Sequence, residues 1–395
     1  MKRRDFLLSS AAAAGALVIP FPWSCKKSND VITPMNQPHF KYLEVSGTNY
    51  EVGKQIGEYF SDKIIASHAG IKDLLDAAKS IVQADPATFY DPFLSAAQNH
   101  FPDYVDEIQG IADGAGLSFQ DVMISNLFME ILYYYYELTG DIKYTFGGTF
   151  GCSTVSYSKD WKLYLAHNED LFTSFLDCMY VVKIKVPGKP EFITLSYPGL
   201  LPGIPPGMNE AGIVQSGNDI CGLHIEPSVP MVFHFRSVMD ATSLDDAKDR
   251  ASFPHRARTM NHNIGSVVED KIISVEAAPL KNQTHVVDGF FVHTNHYILS
   301  EMTDIPIDPS GLESSESRFN ILTSKAQAYT DKPEEVTGEL ITSFLSSHDG
   351  APLSPCVHDH GGASTLAHSL FDFDKKTWNL YFSNPCLNNS KLFNL

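Results

Sequence analysis

The apolar residues of this chain change from helical to strand spacing near the pair Gly147-Gly148. From Tyr50 to about Gly140 they recur at the intervals of amphipathic helices. Downstream, short segments alternate apolar and polar residues as strands do, and helical patterns return only near residues 243–250 and 332–346. Strand blocks with helices segregated between them predict an α+β fold in which helices cover the sheets.

Composition narrows the class of protein. A chain of 395 residues with 43% hydrophobic and 19% charged residues can bury a substantial core. Its formal net charge is −18, and phosphate recognition needs a basic face. A nucleic-acid partner is therefore not expected.

The N-terminus predicts export. Arg3-Arg4 precedes the run "LLSSAAAAGALVIPF", which is shorter than the ~20 apolar residues of a membrane span. We interpret residues 1–25 as a removable twin-arginine signal and residues 26–38 as a linker, with the mature protein in the periplasm or cell envelope. Cys25 is a candidate lipid anchor, although Pro22-Trp23 make a poor lipidation signal.

The segment "GCSTVSYSKDWKLYLAHNED" predicts a hairpin that begins at Gly151. With Lys159-Asp160 as the turn residues, Cys152 lies opposite His167, and Asp170 emerges beside the start of the first strand. Cys152 then has three interpretations: a buried small hydrophobe, half of a disulfide, or a nucleophile. Five cysteines follow Cys25, and their spacing alone selects no pairing.

A cut between Gly151 and Cys152 would place a free α-amine beside the Cys152 thiol at the start of this hairpin. The freed α-amine, with a pKa of ~7.7–8.0, could take the proton of its own thiol. Asp170 could hold that amine in position, and Gly151 would tolerate an unusual backbone conformation at the cut. On local spacing alone, an uncut hairpin with a buried cysteine is the favoured interpretation.

Later motifs shift that balance. After "GCSTVS" and "AHNEDL" come "GMNEAGIVQSGND", "FFVHTNHYI" and "SSESRFNIL", in this order. With these segments, nearly all of the mature chain resembles the isopenicillin-N acyltransferase-like family of N-terminal nucleophile (Ntn) hydrolases, also called the acyl-coenzyme A:6-aminopenicillanic acid acyltransferase family. It is more distantly similar to the bile-salt hydrolase and penicillin V acylase group.

The resemblance implies a four-layer αββα sandwich of two antiparallel sheets. Residues 39–151 would be a helical pro-segment that stays associated after cleavage, and residues 152–395 the catalytic chain. The implied reaction is hydrolysis or acyl transfer at a linear amide of a small molecule, through a Cys152 thioester and without a cofactor or metal.

The resemblance also implies residue roles. Cys152 would be the nucleophile, freed by self-cleavage after Gly151, and Asp170 would orient the new amine. Asn295 would polarise the scissile carbonyl, and two weaker matches are Asn218 as an oxyanion donor and Arg318 as the family arginine. One departure concerns thiol activation: residues 167–169 read His-Asn-Glu, where some relatives have an arginine just before the aspartate.

Three other interpretations remain open. A metal site is suggested by Cys356-x-His358-x-His360 and by the further histidines His293, His296 and His368, but no second ligand pair at zinc spacing is evident, so a structural role is expected. A papain-like hydrolase would use Cys152 with His296 as the base and Asn295 as the orienting residue. A non-catalytic exported binding protein would keep the fold without processing.

Overall fold

The structure is a computed structural model that describes residues 39–141, 151–220 and 222–394. The predicted signal and linker, Cys25, the Gly147-Gly148 pair and Cys221 lie outside the described residues. None of the helices in the described ranges is both long enough and apolar enough to cross a membrane.

Two β-sheets pack against each other at the centre of the structure. The larger has eight strands in the order β1-β4-β5-β6-β7-β8-β9-β10, and the smaller has six in the order β11-β2-β3-β12-β13-β14, counted over the described residues. The strands are β1 (Lys41–Ser46), β2 (Gly151–Lys159), β3 (Lys162–Phe172), β4 (Tyr180–Lys185), β5 (Phe192–Ser196), β6 (Gly207–Asn209), β7 (Ile213–Asp219), β8 (Met260–Ser266), β9 (Lys271–Ala277), β10 (Asn282–Val286), β11 (Gly289–His293), β12 (Ala363–Asp372), β13 (Thr377–Phe382) and β14 (Ser390–Asn394).

The helical N-terminal region is confirmed. It contains α1 (Asn49–Tyr59), α2 (Ser61–Gly70), α3 (Lys72–Ala84), α4 (Pro86–Phe89), α5 (Asp91–His100), α6 (Pro102–Ala115), α7 (Phe119–Ser125) and α8 (Phe128–Thr139). Helices α1 and α6 touch backbone to backbone because glycines face each other. A Cβ on Gly53 would lie 2.1 Å from the Glu107 carbonyl oxygen, and one on Gly110 would lie 2.1 Å from that of Tyr50.

Four later helices cover the outer faces of the sheets. They are α9 (Met231–Val238), α10 (Leu244–Ala251), α11 (Leu312–Gln327) and α12 (Gly338–Leu345). Apolar residues of α9 and α10 pack on strands β7–β9, and those of α11 and α12 pack on β2 and β3. The layers therefore run helix, sheet, sheet, helix, which confirms the predicted αββα class.

One strand departs from the sequence prediction. We expected residues 39–151 to be helical, but β1 joins the larger sheet and pairs in parallel with all of β4, from Lys41 opposite Tyr180 to Ser46 opposite Lys185. The same region also contacts α9, because the buried Glu107 carboxylate on α6 accepts a hydrogen bond from Arg236 on α9 at 3.2 Å. Glu107 also accepts one from Asn49 on α1 at 2.6 Å.

Candidate active site

The β2–β3 hairpin carries Cys152, Glu169 and Asp170, and the register between its two strands differs from the predicted one. Cys152 lies opposite Glu169 and Gly151 opposite Asp170, so the expected pairing of Cys152 with His167 is wrong. The turn residues are Asp160 and Trp161, with φ of 53° and 66°. Positive φ at both central residues is the type I′ geometry that matches strand twist, and this moves the turn one residue along the chain.

The Cys152 side chain is buried beside a carboxylate that the sequence argument did not single out as a contact. Cys152 Sγ lies 3.6 Å from Glu169 Oε1, which also accepts a short hydrogen bond from the Tyr197 hydroxyl. His167 Nε2 lies 3.1 Å from the other Glu169 oxygen. Burial, followed by the charges of Glu169 and Asp170, raises the pKa of the Cys152 thiol well above its usual value. The thiol of the uncut chain is therefore protonated and has an acceptor within reach.

Two side chains from outside the hairpin hold the backbone on the two sides of Cys152. The Cys152 N–H donates to Asn295 Oδ1 at 3.0 Å, just beyond the end of β11. Arg318 on α11 donates to the Cys152 carbonyl oxygen at 2.8 Å, to Ser153 Oγ at 2.9 Å and to Asn295 Oδ1 at 2.7 Å. The structure thus brings Asn295 and Arg318 to Cys152. In this uncut state Asn295 accepts at the amide nitrogen, while its Nδ2 donates to the Asp219 carbonyl oxygen at 2.8 Å.

Glycine is required at position 151 by the lack of space for a side chain and not, as expected, by an unusual backbone conformation. It sits in an extended strand and is not among the described glycines with positive φ. A Cβ at this position would lie 2.4 Å from Arg318 Nη2 and 2.5 Å from Asn295 Oδ1. Close approach of these two side chains, rather than backbone freedom, is what the position requires.

Asp170 is a buried carboxylate with one oxygen unpaired. Its Oδ1 accepts from Thr365 Oγ1 at 2.6 Å, and its Oδ2 has no hydrogen-bond partner among the described residues. Burial raises the pKa of Asp170 to about 6, although Arg318 and Thr365 oppose the shift. A donor placed at Oδ2 would satisfy this group.

Asn218 lies behind the site. Its Oδ1 accepts from Thr154 Oγ1 at 2.9 Å and from Asn263 Nδ2 at 2.8 Å, between the two sheets. It is not among the residues that line the cavity next to Cys152, although its neighbours Gly217 and Asp219 are. Its position does not support the oxyanion role, which stays a prediction.

A mostly apolar cavity of about 120 Å³ opens beside Cys152. Glu169, Asp170 and Asp219 contribute carboxylates to its wall. Of the tyrosine run 133–136, Tyr133 lines the cavity, while Tyr134 and Tyr135 pack on Phe89. The other apolar lining residues come from α8, β3 and the turn after it, the loop after β5, α9 and β8; they are Phe128, Met129, Leu171, Phe172, Phe175, Tyr197, Leu200, Ile204, Met231 and Met260.

The papain-like arrangement is not supported. His296 Nδ1 lies 2.8 Å from Ser315 Oγ, and burial lowers the pKa of His296 to about 4. The neighbour that the structure places at the Cys152 thiol is Glu169. His293 and His368 are also engaged, with Glu276 at 3.0 Å and with Asn168 at 2.8 Å, as structural histidines are.

Sequence reasoning missed Glu169 and Tyr197 as neighbours of the thiol. Strand alternation could have found the first, because side chains opposite each other on two paired strands share a face. Cys152, Glu169 and His167 all point to the face that meets the larger sheet, as the contact from Thr154 to Asn218 shows. Tyr197 begins the loop "YPGLLPGIPPG" after β5, whose composition suggests an apolar pocket but does not indicate a contact with Glu169.

The fold and this site define the class: an enzyme of the Ntn-hydrolase group, in which amide hydrolases and acyltransferases share the αββα sandwich. The sequence model of the acyl-coenzyme A:6-aminopenicillanic acid acyl-transferase family matches residues 157–386, which is more than half of the chain. The chain therefore belongs to this family, and the resemblance drawn from its motifs is confirmed.

Two curated relatives match over most of their length. A β-alanyl-dopamine/carcinine hydrolase of Drosophila melanogaster is 26% identical over 87% of this chain and 92% of its own. The 40 kDa form of the acyl-coenzyme A:6-aminopenicillanic-acid acyltransferase of Emericella nidulans is 23% identical over 84% of this chain and 89% of its own. Among solved structures, a conjugated bile acid hydrolase from Clostridium perfringens aligns with a TM-score of 0.45 and 12% identity, covering 62% of this chain and 92% of that one.

Proposed function

We propose that this chain is an exported enzyme that cuts itself between Gly151 and Cys152. It then uses the Cys152 thiol to hydrolyse small-molecule amides or to transfer their acyl group. The observation that carries the proposal is the buried thiol, 3.6 Å from Glu169 Oε1, next to a peptide bond whose N–H donates to Asn295, a side chain that Arg318 holds in turn.

Self-cleavage follows from this arrangement in two steps. Cys152 Sγ attacks the Gly151 carbonyl carbon while Glu169 accepts the thiol proton, and the bond to the Cys152 nitrogen breaks as that nitrogen gains a proton. The product is a thioester between Gly151 and the Cys152 sulfur. Water then hydrolyses the thioester, leaving a Gly151 carboxylate, a free thiol and a new α-amine.

The new amine would act in turnover. With an unperturbed pKa of ~7.7–8.0, an α-amine is suited to take the thiol proton at neutral pH. Asp170 pairs across the ladder with Gly151, and its buried Oδ2 has no hydrogen-bond partner within the described ranges. A buried acceptor of this kind is satisfied by an N–H donor, which supports Asp170 as the residue that orients the amine.

Substrate class is inferred from the cavity and from the relatives. The Drosophila relative is named for hydrolysis of β-alanyl-dopamine, and the Emericella relative for acyl transfer to 6-aminopenicillanic acid. The first name describes cleavage of a small N-acyl amine and the second describes formation of one, and the aromatic wall around Tyr133 and Phe175 would accommodate an apolar portion of such a molecule. We infer a small N-acyl amine as the substrate.

The N-terminal region would remain bound after the cut. Strand β1 is hydrogen-bonded to β4, and the buried pair of Glu107 and Arg236 joins α6 to α9. Separation would expose a sheet edge and leave two charges unpaired, which is costly.

The cut is tested by intact mass and N-terminal sequencing of the purified protein. Wild type is expected to give two fragments that meet at Gly151-Cys152 and elute together on size exclusion, and Cys152→Ala to give one uncut, inactive chain. Cys178→Ala, at another buried free cysteine, is the matched control and should be cut normally. An uncut wild type, or a cut product from Cys152→Ala, would contradict the proposal.

Activity is tested separately on the processed protein. The panel comprises N-acyl amino acids, dipeptides, β-lactam amides and N-β-alanyl amines, each with and without an acceptor amine. Hydrolysis or acyl transfer in at least one class is expected, with a Cys152 acyl-enzyme seen by mass spectrometry. Failure of every class with correctly cut protein would overturn the catalytic part and leave the cleavage standing.

Export is tested in the producing cells. Replacing both signal arginines, Arg3→Lys with Arg4→Lys, is expected to keep the protein in the cytoplasm with its N-terminal segment uncleaved. Normal appearance of this variant in the cell envelope would remove the twin-arginine assignment.

A further inference from the structure

A second cluster of metal-binding side chains lies outside the candidate active site. His348 follows α12, Cys356 and His358 precede β12, and Cys386 is on the short turn after β13. Their ligand atoms all lie within 4.8 Å of one another. Cys356 is buried while His348 and His358 are exposed, so the cluster opens to solvent on one side.

Three of the distances between these atoms fall in the range of a tetrahedral zinc site, and the distance between the two histidine nitrogens is shorter. Zinc binds thiolate sulfur at ~2.3 Å and imidazole nitrogen at ~2.0–2.1 Å, so ligand atoms at tetrahedral angles are about 3.3–3.8 Å apart. Here the two sulfurs are 3.8 Å apart, and His358 Nε2 is 3.7 Å from Cys356 Sγ and 3.3 Å from Cys386 Sγ. The two Nε2 atoms, of His348 and His358, are 3.0 Å apart.

The geometry points to a structural zinc site formed by His348, Cys356, His358 and Cys386. Two thiolates and two imidazoles form a closed Cys₂His₂ set, which leaves no coordination position for a substrate. His348 and Cys386 supply the second ligand pair that was not evident from spacing, because they lie on other loops and only the fold brings them beside Cys356 and His358.

The surroundings of the cluster fit this role. Asn384 Nδ2 donates to Cys356 Sγ at 3.4 Å and to the Val357 carbonyl oxygen at 2.6 Å, as outer residues of metal sites do. The ion would tie together three chain segments that are otherwise joined by loops. It would also hold the backbone at Val357, whose N–H donates to Thr365 Oγ1 at 3.0 Å. Thr365 in turn donates to Asp170, so the site borders the candidate active site without entering it.

A disulfide between Cys356 and Cys386 is the competing outcome. The two sulfurs are neighbours, both thiols are free in the structure, and an exported protein meets an oxidising environment. A disulfide would remove the two thiolates, so the two histidines would no longer share a metal ion. It predicts protein without zinc and cysteines that do not react with alkylating reagents.

Metal content of the folded protein tests the proposal. Wild type, loaded with Zn²⁺ and dialysed against metal-free buffer, is expected to keep one zinc per chain by elemental analysis, and Co²⁺ in its place should give the visible bands of tetrahedral thiolate coordination. His358→Asn and Cys386→Ser should lose the zinc, and Asn384→Ala should bind it about 10–100-fold more weakly.

The chain offers matched controls. His360→Asn changes the other histidine of the same motif, which is not in the cluster, and Cys178→Ser changes a free cysteine elsewhere; both should keep the zinc. Cys152→Ala should keep it as well, which separates this site from the group of Cys152, His167 and Glu169.

Wild-type protein provides a readout that does not depend on how the variants fold. Chelation should lower its unfolding temperature, and added Zn²⁺ should restore it. Metal-free wild type with Cys356 and Cys386 joined in a disulfide, shown by mass and by blocked alkylation, would overturn the proposal. Equal zinc retention in His358→Asn and His360→Asn would overturn it too.

Discussion

Glu169 lies directly across the β2–β3 ladder from Cys152, and its Oε1 is 3.6 Å from the thiol sulfur. The same carboxylate is held by the Tyr197 hydroxyl and by His167 Nε2. A buried carboxylate fixed on both sides is a preorganised proton acceptor. We propose that Glu169 takes part in thiol activation in this chain, where residues 167–169 read His-Asn-Glu and some relatives have an arginine just before the aspartate.

Glu169→Gln should slow self-cleavage by about 100-fold or more, because general-base assistance is commonly worth 10²–10⁴. The amide keeps the shape of the side chain but is a poor base. The measurement is the fraction of cut chain over time on a denaturing gel. Glu58→Gln, on an exposed side of α1, is the control and should be cut at the wild-type rate. Equal rates in Glu169→Gln and wild type would remove Glu169 from the reaction.

Gly151→Ala should block processing and lower the free energy of unfolding by about 1–3 kcal/mol, the usual cost of overpacking. The added methyl group would lie 2.4 Å from Arg318 Nη2 and 2.5 Å from Asn295 Oδ1, so both must move away from the scissile bond. Gly311→Ala adds a methyl group at the same cavity, where no atom of the described residues lies within 4 Å, and should be cut normally. Normal cutting of Gly151→Ala would show that this contact is dispensable.

Asp170→Asn should stabilise the uncut Cys152→Ala chain in a pH-dependent way. The pKa of Asp170 is raised from 3.8 to about 6 by burial, so the folded chain favours the neutral acid. The charged form therefore lowers stability above pH ~6, and the effect disappears below pH ~4, where the group is neutral in both states. A pKa difference of about 2 units corresponds to at most ~3 kcal/mol.

Urea unfolding across this pH range measures the Asp170 effect. The gain from Asp170→Asn is expected near zero at pH ~4 and about 1–3 kcal/mol at pH ~8. Asp106→Asn, on the exposed side of α6, is the comparison and should show no such trend. A gain that is the same at every pH would mean that Asp170 is not a buried titrating acid in the uncut chain.

Arg318→Lys should slow processing by about 100-fold, although the positive charge is retained. The Arg318 guanidinium donates hydrogen bonds to the Cys152 carbonyl oxygen, Ser153 and Asn295 at the same time. A lysine ammonium cannot reproduce this planar arrangement of donors. Thermal unfolding of the same change in the Cys152→Ala background separates lost geometry from lost stability. Processing at the wild-type rate would show that charge alone suffices.

Much of the site could be read from local sequence. The hairpin around residues 152–170, the cysteine at its start and the carboxylate near its end follow from alternation and turn residues. The turn itself was placed one residue early, since Trp161 is not a residue expected at positive φ. The error shifted the partner of Cys152 from His167 to Glu169 and kept both on the same face, because the pairing moved by two residues.

Other features had no local signal. Helix α11 was not predicted because its hydrophobic stripe is weak, yet it carries Arg318 to the Cys152 carbonyl. Strand β1 lies in the predicted helical pro-segment and instead pairs with β4, which is far away in sequence. His348 and Cys386 form no sequence motif with Cys356 and His358, because the four residues lie on three separate loops that meet only in the folded chain.

The sequence by itself determined the type and order of most elements and the family, because side-chain periodicity and motif order are properties of neighbouring residues. Only the tertiary structure decided which side chains meet at the Gly151-Cys152 bond and at the histidine–cysteine cluster. Those contacts depend on the strand register and on the packing of segments that are distant in sequence. A change of a few ångströms in the position of a strand or a loop would break them.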